Sequence, residues 1–256
     1  MATTSGQTPA DFSPILYGGK TDQGTLLLLL GGVSKTGWLS PEESVSRFAG
    51  ESKYSLNSMI AANRALLSGK TPEFFPTCKA YGIRSDADPG ESGLVGVKDG
   101  WAVTKYPITE LSSAQDTFYH QAVFDWLRGQ GMTNPQSGTV HIFKVDLEND
   151  GVDEVFLSAT HLNPSQNTAN AGDYSVILMR KLIGNNVTTT LVAGDLYKSQ
   201  TAEGTNPNTY SLANFIDLNQ DGVMEVVVEV KAGEKAGAIV YQINGQNAQK
   251  VLNTIC

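Results

Sequence analysis

Apolar and polar positions follow two rhythms along this chain, and the change falls near its middle. In the first half, Thr25–Val33 is a short apolar run ended by Gly31-Gly32, which predicts a buried strand. Ser40-Pro41-Glu42-Glu43 predicts a helix start. Ser40 can cap, Pro41 fits the first helical position and Glu43 closes a capping box. Gly50 stops this helix after Val45 and Phe48 have faced inward. Leu56–Leu67 predicts a second helix ending near Gly69. Residues 70–100, rich in Pro, Gly and Asp, predict loops with short strands and a soft boundary. Ser113-Ala114-Gln115-Asp116 then predicts a capped helix start. Phe118, Ala122, Val123, Trp126 and Leu127 recur at helical spacing until Gly129.

From about Gly138 onward the rhythm is that of strands. Val140–Val145, Val155–Thr160, Tyr174–Lys181, Thr188–Val192, Leu212–Ile216, Val226–Val230, Ala238–Ile243 and Lys250–Ile255 are each predicted as one, with polar joins between them. Two stretches of this half match: Val145–Val155 and Ile216–Val226 agree at seven of eleven positions, 71 residues apart. Each copy has the plan strand, acidic loop, strand, further hairpin, which predicts a duplicated β-unit. The expected fold class is therefore α+β: a β-rich C-terminal half of two duplicated β-hairpin units, and a mixed α/β N-terminal half. The expected organisation is a flexible segment over 1–20, a mixed α/β region over 21–110, and a helix plus duplicated β-units over 111–256.

The two acidic loops carry the clearest chemistry. Calcium takes about six to eight oxygens at about 2.3–2.6 Å, so a short loop must point alternate residues inward and turn sharply in the middle. The second loop places Asp217, Asn219 and Asp221 at positions one, three and five. Gly222 follows at six, Val223 can offer its carbonyl at seven, and Glu225 closes the shell at nine. The first loop sets Asp146, Glu148, Asp150, Gly151, Val152 and Glu154 in the same slots. Neither is an EF-hand, because position twelve falls on apolar Leu157 and Val228 and β-patterned runs follow. The alternative for each is a tight Asp-Gly hairpin with solvated charges. Two copies with acidic or amide groups at one, three, five and nine favour the ion, since crowded carboxylates repel and a cation relieves them.

These loops resemble the calcium loops of FG-GAP and VCBS repeats, found in integrin-type propellers and many bacterial surface proteins. The resemblance covers roughly 145–157 and 216–230, and Asp-x-Asn-x-Asp-Gly at 217–222 is its most specific part. Glu148 is longer than the usual Asp or Asn, and Glu replaces Asp at position nine in both loops. Two units do not make a seven-bladed propeller. The C-terminal half also looks like that of uncharacterised secreted bacterial proteins, which implies export but no activity. Up to two Ca²⁺ sites follow, with 217–225 the more regular.

Net charge of −8 without a Lys/Arg cluster excludes a nucleic-acid footprint and a polybasic membrane anchor. The longest apolar run, Leu26–Leu30, is far shorter than the ~20 residues that span a bilayer. Met1–Pro9 reads as the flexible start of a mature protein whose export signal has been removed, giving a secreted, periplasmic or cell-envelope expectation. Cys78 and Cys256 leave two readings: a disulfide closing a very long loop, or two free thiols.

Other candidates are weaker. His141 and His161 flank the first loop and read as surface or strand-face histidines before a metal pair, as does His120. Ser68-Gly69-Lys70-Thr71 is no P-loop, because Arg64 stands where its first glycine belongs. Trp38 and Trp101 adjoin glycine-rich turns where an aromatic surface for glycan would form, whereas Trp126 belongs to the helix stripe. Asn186-Val187-Thr188 matches a glycosylation sequon. The function these features support is a non-enzymatic, extracytoplasmic calcium-binding module whose partner is a glycan or envelope protein. The rival is a secreted hydrolase of polysaccharide or peptide with structural calcium, using acidic groups such as Glu110, Asp116 or Asp125.

Overall fold

The computed structural model describes residues 11–22, 24–48, 50–60, 65–112, 117–162 and 167–256. Its described residues form seventeen strands and two helices, arranged as three antiparallel sheets. With 54% strand against 8% helix, the protein is β-rich throughout, and the expected α+β class with a mixed N-terminal half is incorrect. The first sheet has eight strands: β1 Phe12–Thr21, β2 Gly24–Ser34, β3 Gly37–Leu39, β4 Ser52–Asn57, β5 Ala65–Gly69, β6 Glu73–Phe75, β7 Ala80–Ser85 and β8 Leu94–Lys98. The second sheet joins β9 Ile108–Leu111, β10 Thr139–Val145, β11 Glu154–His161, β12 Tyr174–Ile183 and β13 Asn186–Leu196. The third is a four-stranded meander of β14 Thr209–Ile216, β15 Glu225–Ala232, β16 Lys235–Asn244 and β17 Asn247–Ile255.

Two N-terminal expectations fail for one reason, the pull of a neighbouring strand. The stretch 1–20 is not all arm: β1 pairs with β2 on one side and β8 on the other, with Ile15 and Leu16 wholly buried. The Leu56–Leu67 helix is replaced by the ends of β4 and β5, which pair with each other, while 61–64 lie outside the described residues. Tertiary pairing overrides the helix preference of Leu and Ala. Local signals that need no partner survive. α1, Pro41–Val45, has the capping box in full, Glu43 N–H donating to Ser40 Oγ and Ser40 N–H to Glu43 Oε2. α2, Thr117–Gly129, buries Val123 and Leu127 of the apolar stripe but leaves Phe118 exposed, and its Ser113–Asp116 start lies outside the described residues.

The third sheet is the middle layer, and its composition shows it. Along β15, Val226, Val227 and Val228 are all fully buried, as a strand covered on both faces requires. Val227 packs with Ile15, Val95, Val97 and Trp101 of the first sheet and the loop after it. Val226 and Val228 face the other way, onto Phe143, Phe156 and Ile177 of the second sheet. α2 covers the far face of the second sheet through Val123 and Leu127. α1 lies over the first sheet, where Val45 and Phe48 join the cluster of Leu27, Leu29 and Tyr54.

Two covalent or polar ties hold the layers in register. Thr254 Oγ1 of β17 donates to the Leu29 carbonyl of β2, 2.8 Å away. Cys78, after β6, and Cys256, after β17, form a disulfide across a sequence separation of 178, which settles the open cysteine question. Closing so long a loop restricts the unfolded chain, an effect on the order of 2–5 kcal/mol. Reduction, or the pair Cys78→Ser and Cys256→Ser, is expected to lower the melting temperature by several degrees in a calorimetric scan. An unchanged melt would show that the bond constrains nothing.

Candidate metal centre

Each acidic loop connects the first and second strands of a meander, and each leaves and re-enters its sheet at the same register. Val145 pairs with Glu154 in the first, and Ile216 with Glu225 in the second. Position nine is therefore the first residue of a central strand, β11 or β15, and is buried: Glu154 is 2% exposed and Glu225 1%. The reason is local hydrogen bonding. Glu154 Oε2 accepts from the Leu147 N–H at 3.0 Å, and Glu225 Oε2 from the Leu218 N–H at 2.8 Å. Leu147 and Leu218, at position two, point into opposite cores and pin that amide in place.

The rest of each loop folds around its first aspartate. Asp146 accepts from the Asp150 and Gly151 amides, and Asp217 from those of Gln220 and Gly222. Asp150 and Asp221 each accept from the amide two residues on, Val152 and Val223, at 2.9 Å. Such bonds substitute for a backbone turn and suit Asp at these slots. The turn needs left-handed backbone, with φ of +91° at Gly151 and +89° at Gly222. Asn149 and Gln220 adopt it too, at +56° and +66°.

The loops touch each other and the first sheet. The Met224 N–H donates to the Leu147 carbonyl at 3.0 Å, joining loop to loop. The second loop is buttressed further: Trp101 Nε1 donates to the Leu218 carbonyl at 2.8 Å, Tyr106 Oη to the Gly222 carbonyl at 3.0 Å and Gln220 Nε2 to the Ala102 carbonyl at 3.0 Å. Asp217 is 2% exposed, whereas Asp146 is only partly covered. Val152 and Val223, the expected carbonyl donors, sit at the rims, Val152 40% exposed.

Where the loops differ is in what neutralises them. In the first, carboxylate oxygens of Asp146, Glu148 and Glu154 lie within 4.8 Å of one another, an acidic group that could hold a metal ion though its composition is unspecific. Lys181 of β12 already reaches into it, bonding Glu154 Oε1 at 3.0 Å and Glu148 Oε1. Burial acts against this ammonium, and the bonds to Glu148 and Glu154 outweigh it, holding its pKa above the ordinary lysine value. Lys144 pairs with Asp153 outside the ligand slots. In the second loop Asp217, Asp221 and Glu225 form no such group and have no cationic partner among the described residues. Asn219 Nδ2 and Gln242 Nε2 donate instead to Asp221 Oδ2. Burial raises the Asp217 carboxyl pKa, and burial together with Asp221 and Asp217 pushes Glu225 up to about 8.

The remaining candidates are dispersed. His141 pairs with exposed Glu110 at 3.2 Å, and His161 with buried Asp173 at 2.9 Å, so they form no shared metal pair. Trp101 is buried and buttresses the second loop, Trp38 packs partly buried against the same core, and Trp126 packs against another beneath α2. Asp125 sits on α2 with Arg128 and Gln121, and Asp116 lies outside the described residues. Sequence reasoning missed Lys181, Gln242 and Trp101 as parts of the loops. Comparison with protein-family models, curated proteins and solved structures gives no match.

The raised Glu225 carboxyl has a measurable consequence. Its folded, ion-free pKa of about 8 lies above the ordinary 4.5, so the protonated form favours the ion-free fold. That contribution is complete below about pH 4.5 and is lost as pH rises through about 8. Chelator-treated protein should lose melting temperature across this window, and Glu225→Gln should flatten the loss and be the more stable at the alkaline end. Equal slopes for both proteins would show that Glu225 is not the group responsible.

Proposed function

We propose that this chain is an extracytoplasmic calcium-binding protein in which bound ion rigidifies a β-loop, acting as a binding or surface module. The observation that carries this reading is the second loop. Two carboxylates, Glu225 and Asp217, are buried to 1% and 2% exposure with no cationic side chain paired to them among the described residues. A buried carboxylate without a partner costs several kcal/mol or gives up its charge. An ion from solution removes that cost. Asp217, Asn219, Asp221, the Val223 carbonyl and Glu225 are the oxygens available, a hard set suited to calcium. Magnesium demands near-ideal octahedral geometry and sheds water reluctantly, so it suits a mixed carboxylate, amide and carbonyl shell less well.

The Cys78–Cys256 disulfide supports an oxidising compartment, where extracellular modules bind calcium at roughly 10⁻⁴–10⁻³ M. The surface partner in this reading is a glycan or another envelope protein. No helix among the described residues is long and apolar enough to cross a membrane.

Thermal melts in calcium, magnesium and chelator test this. Calcium at about ten times its Kd adds about 1.4 kcal/mol, or roughly 3–6 °C for a chain of this size. Asp217→Ala should abolish the calcium shift. No calcium-specific shift, with no binding heat at millimolar ion, would overturn the reading.

A further inference from the structure

The two loops share the hydrogen bonds that tie position nine to position two, position one to the amide at six and position five to the amide at seven, and a neighbouring strand position differs in charge between them. β12 pairs with β11 so that Val155 lies opposite Arg180, and β16 pairs with β15 so that Val226 lies opposite Tyr241. Continuing each ladder by one residue sets Lys181 beside Glu154 and Gln242 beside Glu225. Both side chains reach into their loops: Lys181 bonds Glu148 and Glu154 of the first, and Gln242 bonds Asp221 of the second. Lysine and glutamine thus occupy equivalent sites, one bringing a positive charge and the other none.

We propose that Lys181 is the built-in cation of the first loop, so that only the second takes an ion from solution, and that the position shared by Lys181 and Gln242 sets this choice. The second half of this statement rests on the calcium reading; the first does not. Formal charge does not separate the loops. Asp146, Glu148, Asp150 and Glu154 with Lys181 leave the same three negative charges as Asp217, Asp221 and Glu225. Position separates them. The Lys181 ammonium, its side chain 11% exposed, sits on two of the three carboxylates that would make the first site. Carboxylates brought together repel unless a cation or a proton relieves them, and of the three that lie within 4.8 Å of one another in the first loop, two bond this ammonium. Those of the second form no such group, and their Asp221 is turned to Gln242. For a divalent ion to enter the first loop, the largely covered Lys181 ammonium must leave both its carboxylates.

Calcium titration calorimetry and chelator melts of the full chain, its disulfide intact, test this on Lys181→Gln and Gln242→Lys. Wild type should bind one calcium per chain. Lys181→Gln should melt lower than wild type in chelator, bind two and regain the loss in calcium. Gln242→Lys should bind none and melt higher in chelator than wild type. Two ions on wild type, or a Gln242→Lys protein less stable in chelator than wild type, would overturn the assignment. Should Lys181→Gln not fold, Gln242→Lys decides alone. A wild type that binds no calcium refutes the calcium reading for the second loop. The Lys181 assignment then stands if Gln242→Lys still raises the chelator melt, and falls if it does not.

Discussion

A carboxylate buried at the first residue of a central strand must either meet a positive charge or hold its proton, and the two acidic loops answer that constraint differently. Glu154 and Glu225 are held inside because each caps an amide at position two of its loop, and because the leucine there is locked in a core. The position cannot relax outward without breaking the turn that leads into β11 or β15. What varies between the copies is the source of the compensating charge, an internal ammonium at Lys181 or, in our reading, a divalent ion from solution.

The layered fold makes this arrangement possible. The third sheet lies between the other two, so both faces of β15 are apolar and its first residue starts deep. Trp101, from the segment after the first sheet, reaches across to the Leu218 carbonyl and fixes the second loop from that side. The Leu147–Met224 bond fixes it to the first loop from the other. A loop held at both ends and along its back is partly ordered before any ion binds, which would favour affinity in our reading.

Much of the C-terminal half was legible in the residues themselves. Its strands advertise themselves by apolar runs between polar joins, and the Asp-x-Asn-x-Asp-Gly turn needs no tertiary help to be recognised. Capping at Ser40 was equally readable because it is satisfied within four residues. The N-terminal half was misread because its short runs, such as Leu56–Leu67, suit a helix or a strand equally until a partner decides. Lys181 escaped notice for a geometric reason. The second and third strands are joined by Leu162–Asp173 in one copy and only Gly233-Glu234 in the other, so a fixed sequence offset never aligns Lys181 with Gln242. Only the strand register does.

The most direct measurement of the central claim is a crystal structure grown in calcium, with anomalous scattering used to locate the ion. The account predicts one calcium peak, within reach of Asp217, Asn219, Asp221, the Val223 carbonyl and Glu225, and Lys181 still bonded to Glu148 and Glu154. An ion in the first loop with Lys181 displaced, or no ion in the second, would contradict it.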